Sequence, residues 1–318
     1  MSSPKISCVV VHHTGNLINR CLKSLENLDV EKIVITSSLE WTTKDKTVKI
    51  LHTRINEPTA KRNIATFYAS GKYICFMDDD VEIGKDCIDK MVQSLETNHK
   101  IGMIYATLLK TDNHNIVDTS GSFLSWNGFL YETYVKKDIR RTFILSAKSA
   151  CCMIRRNLFY TIGCFDNDYV IYGEETDLSW RVWQLGYKVI IRNDAIAYHA
   201  AETNLKPRSY YNQHYIHYHG CKNYITTLIK NLPPQRLYIA VINFMIWLFM
   251  GCCLWIRDRR GGKWIFQGLW YNIKNFRYIW KKRMITADHS YWKLIRKDPQ
   301  LNYYFVRFND YLTHKLHS

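Results

Sequence analysis

Tyr73-Ile74-Cys75-Phe76-Met77 runs directly into Asp78-Asp79-Asp80. An apolar run of this length, rich in β-formers, reads as a buried strand. Its carboxylates then fall at the strand's C-terminal end, where an open α/β sheet places its ligands. Three adjacent carboxylates repel one another and lose hydration, so a cation is needed to compensate them. Oxygen ligands suit Mg²⁺ or Mn²⁺, ions commonly shared with substrate phosphates. The competing reading is an acidic turn that caps the following helix.

Around this stretch, strands and helices alternate. Lys5 to Val11 is a first buried strand, ending in the turn His12-His13-Thr14-Gly15-Asn16. A helix follows from about Leu17 to Asn27, then strands over Glu31 to Thr36 and Lys49 to His52. Pro58 opens the next helix, which runs to Ala69 and stops at Gly71. A helix over Asp86 to Glu96 and a strand over Gly102 to Leu109 continue the pattern. Val117 to Tyr134, rich in aromatics and Gly, reads as a hairpin and pocket wall, and Ala150 to Ile154 as a short strand. Such alternation predicts a Rossmann-like, mostly parallel sheet. No Gly-x-Gly-x-x-Gly follows the first strand, so a dinucleotide fingerprint is absent.

A second acidic cluster, Glu174-Glu175-Thr176-Asp177, precedes Leu178, Arg181, Val182 and Leu185 at helical spacing. Carboxylates at a helix N-terminus can be held by its free N–H groups and dipole, which is a structural reading of Asp177. Lys188 to Ile191 and Ala195 to His199 complete the sheet region. A His that ends an apolar strand is either a packed, hydrogen-bonded residue or a ligand.

Charge divides the chain. Net charge is +16, and residues 257–318 carry 14 Lys/Arg against 4 Asp/Glu. A basic, aromatic tail can meet nucleic acid or an anionic membrane. Leu237 to Ile256 precedes it with Asn243 as its one strongly polar residue, and is long enough to cross a bilayer. Trp247, Trp255 and Arg257-Asp258-Arg259-Arg260 favour the membrane interface over a buried core helix. Gly268 to Arg283 reads as one amphipathic helix. The division expected is a catalytic domain over 1–235 and membrane-associated helices over 236–318. The ten Cys have no disulfide-scaffold or Cys-x-x-Cys spacing, and the first residues have no secretory leader pattern, so a reducing, cytosolic setting is expected.

In order, Arg62-Asn63-Ile64-Ala65, Ala69-Ser70-Gly71-Lys72-Tyr73 and Asp78-Asp79-Asp80 are followed by Gly163-Cys164-Phe165-Asp166 and Tyr172-Gly173-Glu174-Glu175-Thr176-Asp177-Leu178-Ser179-Trp180-Arg181. This succession resembles family 2 glycosyltransferases of the GT-A fold, and within them the rhamnosyltransferase-like enzymes of cell-surface or lipid-linked glycans. The resemblance covers about residues 5–235. It implies an inverting transfer from a nucleoside-diphosphate-sugar, with Mg²⁺ or Mn²⁺ as cofactor and a hydroxyl of a lipid-linked or surface glycan as acceptor. By it, Asp78 faces the nucleotide, and Asp80 coordinates metal and diphosphate. Glu175 is the base and Glu174 orients the acceptor hydroxyl, while His199 meets the metal or diphosphate. His12, Thr14, Arg62 and Asp79 bind the donor; Trp126, Asp177 and Arg181 contact sugar or acceptor.

Three departures bear on specificity. Thr36-Ser37-Ser38 stands where relatives carry base-reading residues, His12-His13-Thr14 replaces their usual first loop, and Glu175 is one methylene longer than their Asp. The expected setting is the cytoplasmic face of a membrane, peripheral, monotopic or re-entrant, with a single crossing as the other arrangement. A nucleotidyltransferase or other nucleotide-sugar enzyme shares the acidic strand but not the need for Glu174-Glu175. No nucleic-acid partner is expected, since none of the usual reader motifs is present.

Overall fold

A computed structural model describes residues 5–13, 15–132, 142–200, 215–284 and 295–296. Strands β1 (Ile6–His12), β2 (Glu31–Thr36), β3 (Val48–His52), β4 (Tyr73–Asp78), β5 (Val81–Ile83), β6 (Ile101–Lys110) and β7 (Val117–Thr119) come first. They alternate with helices α1 (Leu17–Ser24), α2 (Pro58–Thr66) and α3 (Cys87–Thr97). There follow β8 (Ser122–Ser125), β9 (Leu130–Glu132), β10 (Thr142–Phe143), β11 (Cys151–Arg155), α4 (Arg156–Thr161), α5 (Glu174–Gln184) and β12 (Lys188–His199). Helices α6 (Gly220–Asn231), α7 (Tyr238–Arg257), α8 (Arg259–Lys274) and α9 (Phe276–Lys281), with β13 (Ile295–Arg296), complete the described strands and α-helices.

Two compact units divide these elements, one of residues 1–121 and 132–201, the other of residues 122–131 and 202–318. In the first, the sheet order is β10-β12-β6-β11-β4-β1-β2-β3, with β5 on β12 and β7 on β6. The half built from β3, β2, β1 and β4 is parallel, as alternation with helices requires. Antiparallel β11 then sits between β4 and β6, so the sheet is mixed. The GT-A-like character expected from the sequence is thus present, with its parallel half carrying the acidic strand. Register matters for the site: Val11 pairs with Asp78, and His199 pairs with Val81, beside Asp80. Both the first loop and the end of β12 are therefore delivered to the acidic run.

The core is made by residues whose spacing announced it. Ile18, Cys21 and Leu22 of α1 bury one face. Cys8, Cys21, Cys75, Cys87 and Cys151 are fully buried, as small hydrophobes are. Helix α1 ends at Ser24, short of the expected Asn27, because the Ser24 hydroxyl donates back to the Cys21 carbonyl (2.6 Å) and accepts the Ile83 amide (3.0 Å). The two strands expected over 188–191 and 195–199 are one, bulged between Arg192 and Ile196.

The second unit starts well before the expected boundary at residue 235. Asn272 of α8 donates to the Lys222 carbonyl of α6 (3.0 Å) and accepts from Thr226 (2.8 Å), so α6 belongs with the later helices. The single helix expected over 268–283 is two. Asp258 caps α8 nine residues earlier by accepting the Arg260 and Gly261 amides, and the helix breaks at Asn275. Helix α7 is the one described helix long and apolar enough to cross a membrane.

Candidate active site

Helix α2 assembles the site. Its buried polar residues reach four separate segments of the first unit. Thr59 donates to the Val170 carbonyl (3.0 Å), and Lys61 to the His12 carbonyl and the Ser37 hydroxyl (both 3.1 Å). Asn63 donates to the Phe165 carbonyl (2.8 Å) and accepts the Phe165 amide (3.0 Å). Between them, Arg62 bridges the two acid clusters, 2.8 Å from Asp78 and 2.9 Å from Glu174. A helix with Pro at its first turn and five polar residues buried is a bracket rather than a covering layer.

At the end of β4, ligand atoms of Asp78, Asp80 and His199 lie within 4.8 Å of one another. His199 Nδ1 pairs with Asp118 (2.8 Å), leaving Nε2 facing Asp80 at 3.6 Å. Lys148 in turn lies 3.2 Å from Asp118. Burial pushes the His199 pKa down, but the Asp118 and Asp80 carboxylates outweigh it and raise it to about 9. Two carboxylates flank this buried imidazole, so the pocket concentrates negative charge. Two carboxylates and one imidazole, the imidazole oriented by a further carboxylate, fit a divalent ion of the Mn²⁺ or Mg²⁺ kind.

The second cluster opens α5. Gly173 takes a left-handed conformation (φ 84°) that turns the chain into the helix, and Tyr172 and Val170 before it also have positive φ (66° and 44°). A β-branched residue at that φ is strained, and the Thr59 bond to its carbonyl helps to hold it. Glu174 is buried against Arg62, whereas Glu175 is partly exposed. Desolvation and the neighbouring Glu174 carboxylate push the Glu175 pKa well above the usual carboxylate range.

The other residues singled out in the sequence have mixed places. Asp79 accepts the His13 amide (3.0 Å) and so ties the first loop to the acidic run. The His12 ring is buried, bonded to Thr36 (2.9 Å) and packed on Trp41, so its side chain is committed to the fold. Thr14 lies outside the described residues. Asp177 and Arg181 are buried and paired with each other at 2.8 Å, one turn apart on α5. Trp126 belongs to the second unit, where it is 53% exposed at the β8–β9 turn.

Sequence reasoning missed Asp118, Lys148 and the His13 side chain. Burial and nearby Lys61 push the His13 pKa down to about 4, with Asp78 also in its field. Nothing in a Val-Asp-Thr tripeptide marks Asp118 as the partner of a His 81 residues away.

Residues 7–163 match the model of glycosyl transferase family 2. This segment is homologous to family 2 glycosyltransferases. Among curated proteins, an uncharacterized glycosyltransferase of Haemophilus influenzae is 41% identical over 59 residues, which are 18% of this chain and 24% of that protein. The alignment thus spans about a quarter of the relative's length. Among solved structures, GalNAc-T7 with UDP, GalNAc and Mn²⁺ superposes with a TM-score of 0.58 at 14% identity, over 86% of this chain and 58% of that one. The mannosyltransferase PcManGT of Pyrobaculum calidifontis, with GDP-Man and Mn²⁺, gives 0.50 at 13% identity over 88% of each chain. Staphylococcal TarS (S. aureus, residues 1–349, with UDP) gives 0.51 at 13% identity over 87% of this chain and 90% of that one. At such identities the structural likeness is one of fold. The family match together with that fold supports transferase activity, and narrows it to no subgroup.

Proposed function

We infer that this chain moves a sugar from a nucleoside-diphosphate-sugar to a hydroxyl of a lipid-linked or surface glycan, with inversion at the anomeric carbon. One observation carries the reading: a single guanidinium, that of Arg62, bridges Asp78 at the end of β4 and Glu174 at the start of α5. A cation-binding set of carboxylates and a proton-accepting set therefore share one site. Asp78, Asp80 and His199 would hold Mn²⁺ or Mg²⁺, which supplies positive charge against a departing diphosphate. In this reading Asp78 lies on the nucleotide side, Asp79 steadies the first loop, and Asp80 serves metal and diphosphate.

Glu175 takes the proton of the acceptor hydroxyl. Its raised pKa makes it a stronger base than an ordinary carboxylate, and its partial exposure leaves it open to an acceptor. Glu174, held by Arg62, orients that hydroxyl without competing for its proton. Inversion follows when the base works on the face opposite the leaving group. Asp177 and Arg181 serve the site by keeping α5 in place.

The membrane enters as the acceptor's location. The chain works at a cytoplasmic membrane face, as a peripheral or monotopic protein, which the apolar helix α7 and the basic residues around it support. A nucleotidyltransferase reading leaves Glu174 and Glu175 without work.

The experiment is a screen of UDP-, GDP- and dTDP-sugars for binding and hydrolysis, with Mn²⁺, with Mg²⁺ and with chelator. Metal-dependent binding of at least one donor is expected. Donor binding indifferent to chelation in every case would remove the reading.

A further inference from the structure

Helix α7 presents two faces. Ile239, Asn243, Trp247, Met250 and Leu254 are buried within the second unit, at steps of three and four. The opposite stripe, Tyr238, Val241, Met245, Phe249, Cys252 and Ile256, is exposed along the whole helix, with Phe249 at 63% and Ile256 at 87%. A helix that merely filled a core would bury both faces. One that crossed a bilayer would be free to turn any face to lipid, so length and composition alone decide nothing.

The packing of α7 decides. Helix α8 runs back along it: Gly251 faces Ile265 and Phe266, Gly261 faces Leu254, and Gly262 lies against the Trp255 backbone, so near that a Cβ there would come within 2.6 Å. Residues 254–255 meet 261–262 close to the Asp258 turn, and Gly251 meets 265–266 farther from it, so the two form an antiparallel hairpin. If α7 stood across a membrane, α8 would stand with it and carry exposed Lys263 and Gln267 to hydrocarbon depth. The β8–β9 turn would follow, because the Asn243 side chain donates to the Asn127 carbonyl (3.1 Å) and Gly128 lies against Ile239 and Asn243. Irregular backbone is not tolerated facing lipid.

Charge identifies the occupant of the stripe. Residues 234–284 hold ten Lys/Arg and a single acid, Asp258, which is committed to capping α8. Arg236 lies at one end of the stripe, and exposed Arg257, Arg259 and Arg260 at the other. Tyr238 and Trp255, amphipathic rings suited to the headgroup level, stand near those same ends. An apolar stripe with basic ends matches an anionic bilayer surface, not a second basic copy of the same chain.

We propose that α7 lies in the plane of an anionic membrane, its exposed stripe sunk into the headgroup–acyl boundary and its flanking arginines on lipid phosphates. The inference deepens the membrane placement above and rests on it, but not on the sugar chemistry.

The test uses the full-length protein and two vesicle compositions, pure phosphatidylcholine and phosphatidylcholine with about a third phosphatidylserine, the acidic lipid that charge complementarity calls for. Flotation should show at least tenfold tighter binding to the acidic vesicles. Met245→Glu with Phe249→Glu should reduce it at least tenfold, and both residues are exposed, so the melting temperature should hold. Arg259→Glu with Arg260→Glu should remove the preference for phosphatidylserine. Fluorophores on Val241→Cys, Met245→Cys and Phe249→Cys, quenched by spin-labelled lipids, should report one shared shallow depth. A depth that varies along the three sites would overturn the in-plane seat while leaving membrane binding intact. Dimerisation through the stripe in the absence of lipid would overturn it too. Failure to bind either vesicle would sink the membrane placement itself, while donor binding would be unaffected.

Discussion

The Arg62 guanidinium, 2.8 Å from Asp78 and 2.9 Å from Glu174, offsets two buried or half-buried carboxylates at once. At Glu175 desolvation and the Glu174 carboxylate outweigh the pull of the same guanidinium, and its pKa stays raised. The contrast separates the roles of two adjacent acids. Glu175→Gln should leave donor affinity within about twofold and lower turnover by roughly a hundred- to ten-thousand-fold, the usual weight of a general base. Steady-state rates beside donor titrations check this, and unchanged turnover would take Glu175 out of the mechanism. Asp80→Asn should weaken Mn²⁺-dependent donor binding by more than tenfold, a loss of about 1.4 kcal/mol or more. Asp118→Asn acts one step removed, through the orientation of His199. Calorimetric Mn²⁺ titration should show affinity down by roughly 10- to 100-fold, the range for losing a ligand's carboxylate partner.

Helix α2 is the element on which the site turns, because its side chains replace backbone connections between loops that are far apart in the chain. Asn63 holds Phe165 by both its amide and its carbonyl. Removing that side chain leaves two buried backbone groups without partners. Asn63→Ala should therefore cost about 2–3 kcal/mol in urea unfolding, at one to three per orphaned group and partly relieved by water. It should also loosen the segment that leads into α5. A loss under about half a kcal/mol would mean that α2 covers the sheet without bracing the loops.

At the scale of the whole chain, the division into units changes what can be cut. The sequence places a boundary at 235, but α6 is bonded to α8 through Asn272, and Ile225 and Leu228 of α6 are buried. A chain that stops before Leu237 should expose that apolar face and elute as aggregates in size-exclusion chromatography. A monodisperse, cooperatively melting product would show that α6 is stable without its neighbours.

The acidic strand, the order of strands and helices over the first 110 residues apart from the short β5, and the apolar run of α7 were all legible as local patterns. Periodicity and turn chemistry act between residues close in the chain, so a reader of the chain can recover them. The homology of residues 7–163 was legible for the same reason, since its motifs are short runs. Other features depend on contacts that no local pattern encodes. Asp118 reaches His199 across 81 residues, Arg62 reaches Glu174 across 112, and the His12 ring meets Thr36 across 24. Sequence by itself determined most of the strands and helices and that the acids ending β4 crowd one another, because hydrophobic burial and charge repulsion are properties of neighbours. Only the tertiary structure decided which acid meets which base, and that α7 keeps one face exposed to solvent, because those outcomes depend on register and packing between segments distant in the chain.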